Sequence, residues 1–82
     1  MTRHEFLGEL HRILRPAVYL EIGVQHGWSL QLAHPPSRAV GVDPSPALLV
    51  PVDGVVVKAT SDEFFAGDPA AVLGGPVDLA FI

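Results

Sequence analysis

Apolar positions along this chain fall into two kinds of run, some spaced for a helix and others continuous enough for buried strands. Over residues 2–15, Phe6, Leu10, Ile13 and Leu14 recur at i, i+4, i+7 and i+8, one helical stripe. Thr2 and Glu5 make a T-x-x-E capping box, in which each side chain satisfies a free backbone N–H of the first turn. Arg12 and Arg15 suit the negative end of that helix, and Pro16 stops it. Residues 17–22, Ala-Val-Tyr-Leu-Glu-Ile, are a short apolar run with β-formers and predict a buried strand. A turn over residues 23–27 follows, then a helix over 28–34 that ends at Pro35-Pro36. Residues 38–42 predict a second strand, closed by Asp43-Pro44-Ser45-Pro46, and residues 47–50 are too short to assign. Residues 54–58, with three consecutive valines, predict a third strand. Thr60 and Glu63 repeat the capping box and open a helical turn carrying Phe64 and Phe65. Gly67-Asp68-Pro69 interrupts it, and Asp68 is placed to cap a further short helix with Pro69 at its first position, where a missing N–H costs nothing. Gly74-Gly75 ends that helix, and residues 76–82 predict a fourth strand.

The order α-β-α-β-(α)-β-α-β predicts an α/β fold with a doubly wound parallel sheet covered on both faces, because near-continuous apolar strands alternate with helices. Two parts are expected: an N-terminal helix over residues 1–16, and residues 17–82 as part of a larger ligand-binding domain. The helix either packs on the sheet or extends to a partner, and its sequence leaves both open. A chain of 82 residues holds at most one small domain. Its 49% hydrophobic content and mean hydropathy of +0.38 are too apolar for a disordered chain. Apolar faces on so short a chain are expected to be covered by something further. The net charge of −4 and the scattered Arg3, Arg12, Arg15, Arg38 and Lys58 exclude a basic nucleic-acid surface. The absence of cysteine excludes disulfides, thiolate nucleophiles and zinc–thiolate sites. No apolar run approaches the roughly 20 residues of a membrane span, and no signal-peptide core precedes the first helix, so a cytoplasmic protein with no membrane partner is expected.

The candidate chemistry centres on residues 19–30, Tyr-Leu-Glu-Ile-Gly-Val-Gln-His-Gly-Trp-Ser-Leu. Glu21 stands at a strand end, Gly23 two positions later and Gly27 four after that, at the start of the expected helix. A glycine there allows an unusual turn and close approach of a ligand. In open α/β sheets ligands bind outside the C-terminal ends of the strands, where this loop lies. A helix start after Gly27 offers free N–H groups to an anion. Asp43 follows the second strand, 20 residues after Gly23, where a carboxylate can accept both hydroxyls of a ribose; an Asx turn before Pro44 is the alternative.

These residues carry a resemblance. Leu20-Glu21-Ile22-Gly23-Val24, Gly27 and Ser29-Leu30 resemble motif I of class I S-adenosylmethionine (SAM)-dependent methyltransferases, and in particular the small-molecule O-methyltransferases. Gly41-Val42-Asp43-Pro44 is similar to the motif after the second strand of that family. Residues 60–65, Thr-Ser-Asp-Glu-Phe-Phe, resemble the segment that flanks the adenine, and residues 76–82 resemble the fourth strand. The resemblance covers residues 17–82 and implies a Rossmann-like sheet with strand order 3-2-1-4, the first part of the family's 3-2-1-4-5-7-6. It implies SAM as cofactor, a small-molecule substrate and methyl transfer to oxygen. Glu21 would sit beneath the methionine amino end, Gly23 and Gly27 would let the loop pass the methionyl-ribose part, and Ser29 would bond the carboxylate. Asp43 would hold the ribose, with Ser61 and Asp62 at the adenine. The chain is expected to be the N-terminal half of such an enzyme, inactive alone and ending before any catalytic residue. No metal site is expected on it, and the family leaves room for a divalent metal only in a full-length parent. A fourth strand at the edge of the sheet would invite self-association.

Other readings stand beside this one. A non-catalytic remnant, completed by another chain through that strand, is the alternative. A nicotinamide dinucleotide domain fits less well, since Gln25 replaces the second glycine of G-x-G-x-x-G and Glu21 would repel a pyrophosphate. Asp62 and Glu63 are read as first-turn acids that complement a helix dipole rather than catalytic acids. His4 and His11, seven apart, do not make a metal pair and are expected in solvent; His26 lies in the loop; Trp28 is expected to pack its helix onto the sheet.

Overall fold

Local capping sets where each helix begins. Thr2 Oγ1 accepts from Glu5 N (3.0 Å) while Glu5 Oε1 accepts from Thr2 N (3.1 Å), and this box opens α1 (Arg3–Leu14). The helix ends at Arg15 in the left-handed conformation (φ 44°), its N–H donating to His11 O. The same box, Thr60 with Glu63, opens α2 (Ser61–Ala66), and the Asp68 cap with Pro69 opens α3 (Pro69–Leu73). The computed structural model describes all 82 residues, Met1–Ile82.

Four strands, β1 (Val18–Ile22), β2 (Arg38–Val42), β3 (Val55–Val57) and β4 (Leu79–Phe81), form one all-parallel sheet in the order β3-β2-β1-β4. This is an α/β architecture with the 3-2-1-4 order of a partial Rossmann-like sheet. Leu20 pairs with Val40 on one side and Ala80 on the other. Asp78 Oδ2 accepts from Ala17 N (2.9 Å) and Val18 N (3.0 Å), which fixes the start of β4 beside β1. The period-two alternation of strands sends Val18, Leu20, Val40 and Val42 to one face, against Phe64 of α2 and Leu73 of α3. It sends Tyr19 and Ala39 to the other, against Leu7 of α1 and the loop residues Val24 and Leu30. Both faces are thus covered, which is why the strands read as near-continuous apolar runs.

Three expectations need correction. Residues 28–34 do not form an α-helix; only a 3₁₀ turn, Leu30–Leu32, is present, and Ser29 before it makes no side-chain cap of the kind that opens α1, α2 and α3. Helix α1 packs on the sheet side through Leu7 and His11, while Phe6, Ile13 and Leu14 of the apolar stripe stay exposed. Gly8 turns toward Leu32 on that inner side, and a small residue there suits close approach of the helix to the 3₁₀ turn. His11 is therefore buried, stacked edge-on against Tyr19 with ring centroids 4.4 Å apart, and not in solvent. Between β2 and β3, where residues 47–50 carried no assignment, the chain runs as a loop whose Ala47 and Leu49 N–H groups donate to Gln25 O and His26 O.

Candidate functional site

A cleft of about 440 Å³ opens at the C-terminal ends of β1 and β4. Its floor is the loop after β1, which runs through three left-handed residues, Gly23 (φ 87°), Gln25 (φ 52°) and Gly27 (φ 90°). Glycine carries two of these without strain. A side chain at Gly27 would also meet Leu48 Cδ2 at 3.0 Å and Val52 Cγ1 at 3.3 Å, so the loop beyond β2 holds it from behind. At Gly23 a Cβ would meet nothing, and the bare backbone faces open space.

Hydrogen bonds hold the loop in place. Gly23 N donates to Val42 O (2.8 Å), Gln25 N to Asp43 Oδ2 (2.8 Å) and Gly27 N to Val24 O (3.1 Å). The N–H groups of His26, Trp28 and Ser29 have no partner in the protein, and all three residues line the cleft. Polar backbone groups near a cleft are ordinarily satisfied by protein, water or ligand. Ser29 is half-buried and spends its hydroxyl on no helix cap.

Two carboxyl groups support this floor, and their environments push them in opposite directions. Glu21 is fully buried; Oε1 accepts from Tyr19 Oη (2.6 Å) and Oε2 has no partner. Burial pushes the Glu21 carboxyl up, against a smaller lowering from the Tyr19 hydrogen bond. Burial, reinforced by Glu21, pushes the Tyr19 phenol strongly up as well. Asp43 is buried at the end of β2, where Oδ1 accepts from Ser45 N (2.7 Å) and Oδ2 from Gln25 N. These backbone donors hold its carboxyl below the ordinary range. The Asx turn before Pro44 is therefore formed, and Asp43 also anchors the glycine loop.

Gly23 and Ser29 thus line the cleft; Glu21 lies sealed within the sheet layer, Gly27 is turned toward Leu48 and Val52, and Asp43 braces the loop. Ser61 and Asp62 do not line the cleft. Ala59, two residues before Ser61, donates its N–H to Asp43 O (3.2 Å). Glu63 caps its own helix, which accounts for it without a catalytic role.

The sequence reading missed Arg3, His4 and Phe81, which also line the cleft, and misplaced Trp28. Trp28 does not pack a helix onto the sheet: it is half-exposed and forms part of the cleft wall, because no helix follows the loop to carry it inward. The Arg3 guanidinium lies 6.0 Å from the Phe81 ring centroid, the outer reach of a cation–π contact. One signal for Arg3 existed. A helix that runs back across the sheet to feed β1 puts its N-terminus at the strands' C-terminal ends. The Tyr19–Glu21 pair was also legible, since i and i+2 on a strand share a face. No three His, Asp or Glu side chains converge to hold a metal ion. The cleft therefore presents unpaired N–H donors from its loop, while the Glu21 and Asp43 carboxyls lie outside its lining. No family model, curated protein or solved structure matches this chain.

Proposed function

We propose that this chain binds S-adenosylmethionine in the cleft above β1 and β4, as the cofactor site of a methyltransferase acting on an oxygen of a small molecule. One observation carries the proposal: a glycine loop with unpaired N–H groups lies over a buried, half-satisfied carboxyl, at the C-terminal ends of a 3-2-1-4 parallel sheet. That arrangement fits the cofactor's chemistry. Its ammonium and sulfonium favour nearby acceptors; Glu21 Oε2 lacks a partner but is sealed from the cleft, so contact with it requires the loop to shift. Its carboxylate favours donors, which the loop N–H groups and the Arg3 guanidinium supply. Each Asp43 oxygen keeps acceptor capacity for a ribose hydroxyl after its backbone bond is made. Ser61 and Asp62, outside the lining of the cleft, are assigned to the adenine on the resemblance of residues 60–65 alone. The volume lies within the roughly 300–1,000 Å³ range of small-molecule sites.

The cofactor supplies an electrophilic methyl group on a sulfonium. The chain's own part is to bind and orient it, since in-line displacement depends on alignment. A dinucleotide fits less well: its pyrophosphate would come to rest over Glu21, and Gln25 stands where a second glycine is needed.

Trp28 is the only tryptophan and lies in the cleft wall, so its fluorescence reports on occupancy. Titration with SAM is expected to give a saturating change with a micromolar midpoint, and Asp43→Ala is expected to weaken it at least tenfold with the circular dichroism of the fold retained. A folded chain that answers NAD and not SAM, or binding left unchanged in the Glu21→Ala, Asp43→Ala double variant, would overturn the proposal.

A further inference from the structure

The two ends of helix α1 reach different cavities. Arg3 and His4 meet the cleft described above, while its last turn borders a second cavity of about 390 Å³ at the N-terminal ends of β1 and β2. The lining there is basic: Arg12, Arg15, His11 and His34 contribute, and no carboxylate lines it. In a chain with net charge −4, this concentration of cationic and imidazole groups runs against the overall balance.

The four groups are not equally engaged. Arg12 is paired with Glu9 (2.6 Å), and His34 Nδ1 lies 3.1 Å from Leu32 O. Arg15 makes no side-chain hydrogen bond or ion pair, so its guanidinium fork is free. His11 is 7% exposed, borders the cavity and has an unpartnered Nε2. Arg15 also holds a backbone conformation that favours glycine: at φ 44° it occupies the helix-ending position where glycine is the usual residue. An arginine kept where the backbone calls for glycine points to a use for its side chain.

We propose that this second cavity is a binding site for a small phosphate-type oxyanion, gripped by the free fork of Arg15 with Arg12 and His34 closing around it. Guanidinium groups match the geometry of phosphate oxygens and deliver paired, charge-assisted hydrogen bonds. The anion is either free phosphate or the phosphate of a small ester; both share the recognised group. The site lies at the opposite end of the sheet from the cleft and stands independently of the methyltransferase proposal.

The test is a titration of the whole chain with inorganic phosphate at constant ionic strength, followed by nuclear magnetic resonance. Saturating shifts are expected at Arg15, His34 and Ser37, at least tenfold weaker in Arg15→Gln and unchanged in Lys58→Gln, which removes the same charge from an exposed position elsewhere. Arg15→Gly relieves the left-handed backbone and is expected to melt higher while losing phosphate as Arg15→Gln does, which separates binding from folding. Tighter binding of glycerol 3-phosphate identifies an ester as the ligand, and tighter binding of inorganic phosphate identifies the free ion. Shifts that rise linearly, saturate elsewhere, or weaken equally in Lys58→Gln would overturn the site and leave Arg12 and Arg15 as complements of the helix dipole.

Discussion

Glu21 and Asp43 lie close in the fold and respond to pH in opposite senses. Glu21 is raised above its ordinary value of 4.5, chiefly by burial, so the stability its neutral form contributes is full below that value. It is lost as pH rises through the folded-state value. Asp43 is lowered from 3.8 by the Gln25 and Ser45 N–H groups, so its contribution is present above 3.8 and lost as pH falls through its folded-state value. Glu21→Gln, neutral throughout, is expected to match the unmodified chain near pH 4 and to melt higher at pH 7, by about 1–3 kcal/mol on the scale of an imperfectly paired buried polar group. Asp43→Asn is expected to cost about 1.5–3 kcal/mol at pH 7, the scale of hydrogen bonds to a charged group, with the gap closing in acid. Thermal melts of both variants across that range are the measurement. Parallel pH profiles would contradict the opposed environments seen for the two carboxyls.

At the scale of elements, the sheet depends on how closely the loop after β1 packs onto β2. A Cβ built at Gly41 would fall 2.5 Å from Val24 Cγ2 and 2.8 Å from Leu30 Cδ2, so the missing side chain lets the loop and the 3₁₀ turn settle on the strand. Gly41→Ala is expected to destabilise the fold by about 1–3 kcal/mol through overpacking, and to weaken the proposed SAM binding, because Val24 and Trp28 belong to the displaced loop. Urea unfolding and the Trp28 titration read the two effects separately. Gly41 stood in the second strand of the sequence reading, but nothing local marked it as a contact. Its neighbours Val24 and Leu30 come from a different segment, and the approach exists only once β1 and β2 pair. The capping boxes at Thr2 and Thr60 were legible because both partners lie three residues apart.

For the molecule as a whole, size and surface tell different stories. The radius of gyration of 11.9 Å matches the roughly 11.7 Å expected of a compact 82-residue chain. The accessible surface of 5065 Å² exceeds the roughly 4,700 Å² expected for its mass, and the exposed large apolar side chains include Phe6, Ile13, Leu49, Phe65 and Ile82. No helix is long and apolar enough to cross a membrane. β4 pairs only with β1, so its outer edge presents unpaired backbone groups. Association through that edge is expected to rise with concentration in sedimentation velocity. Val77→Lys, just before β4, should suppress it, and a distribution that the substitution leaves unchanged would assign association to another surface.

Local pattern was enough for the elements and their order, apart from the helix expected over residues 28–34. Three of the four strands fell within a residue or two of their expected bounds, both capping boxes formed, and the fourth strand was shorter than its apolar run. Those features rest on contacts a few residues apart and on a period of two that any parallel, doubly covered strand must show. Tertiary structure alone decided which face of α1 is buried, because His11 finds Tyr19 and Gly8 lies beside Leu32 only after the helix docks. It left residues 28–34 with only the 3₁₀ turn Leu30–Leu32, and Trp28 in the wall of the cleft. It also brought Arg3 from one end of the chain to Phe81 at the other, a meeting that local pattern does not encode because β4 must first pair with β1.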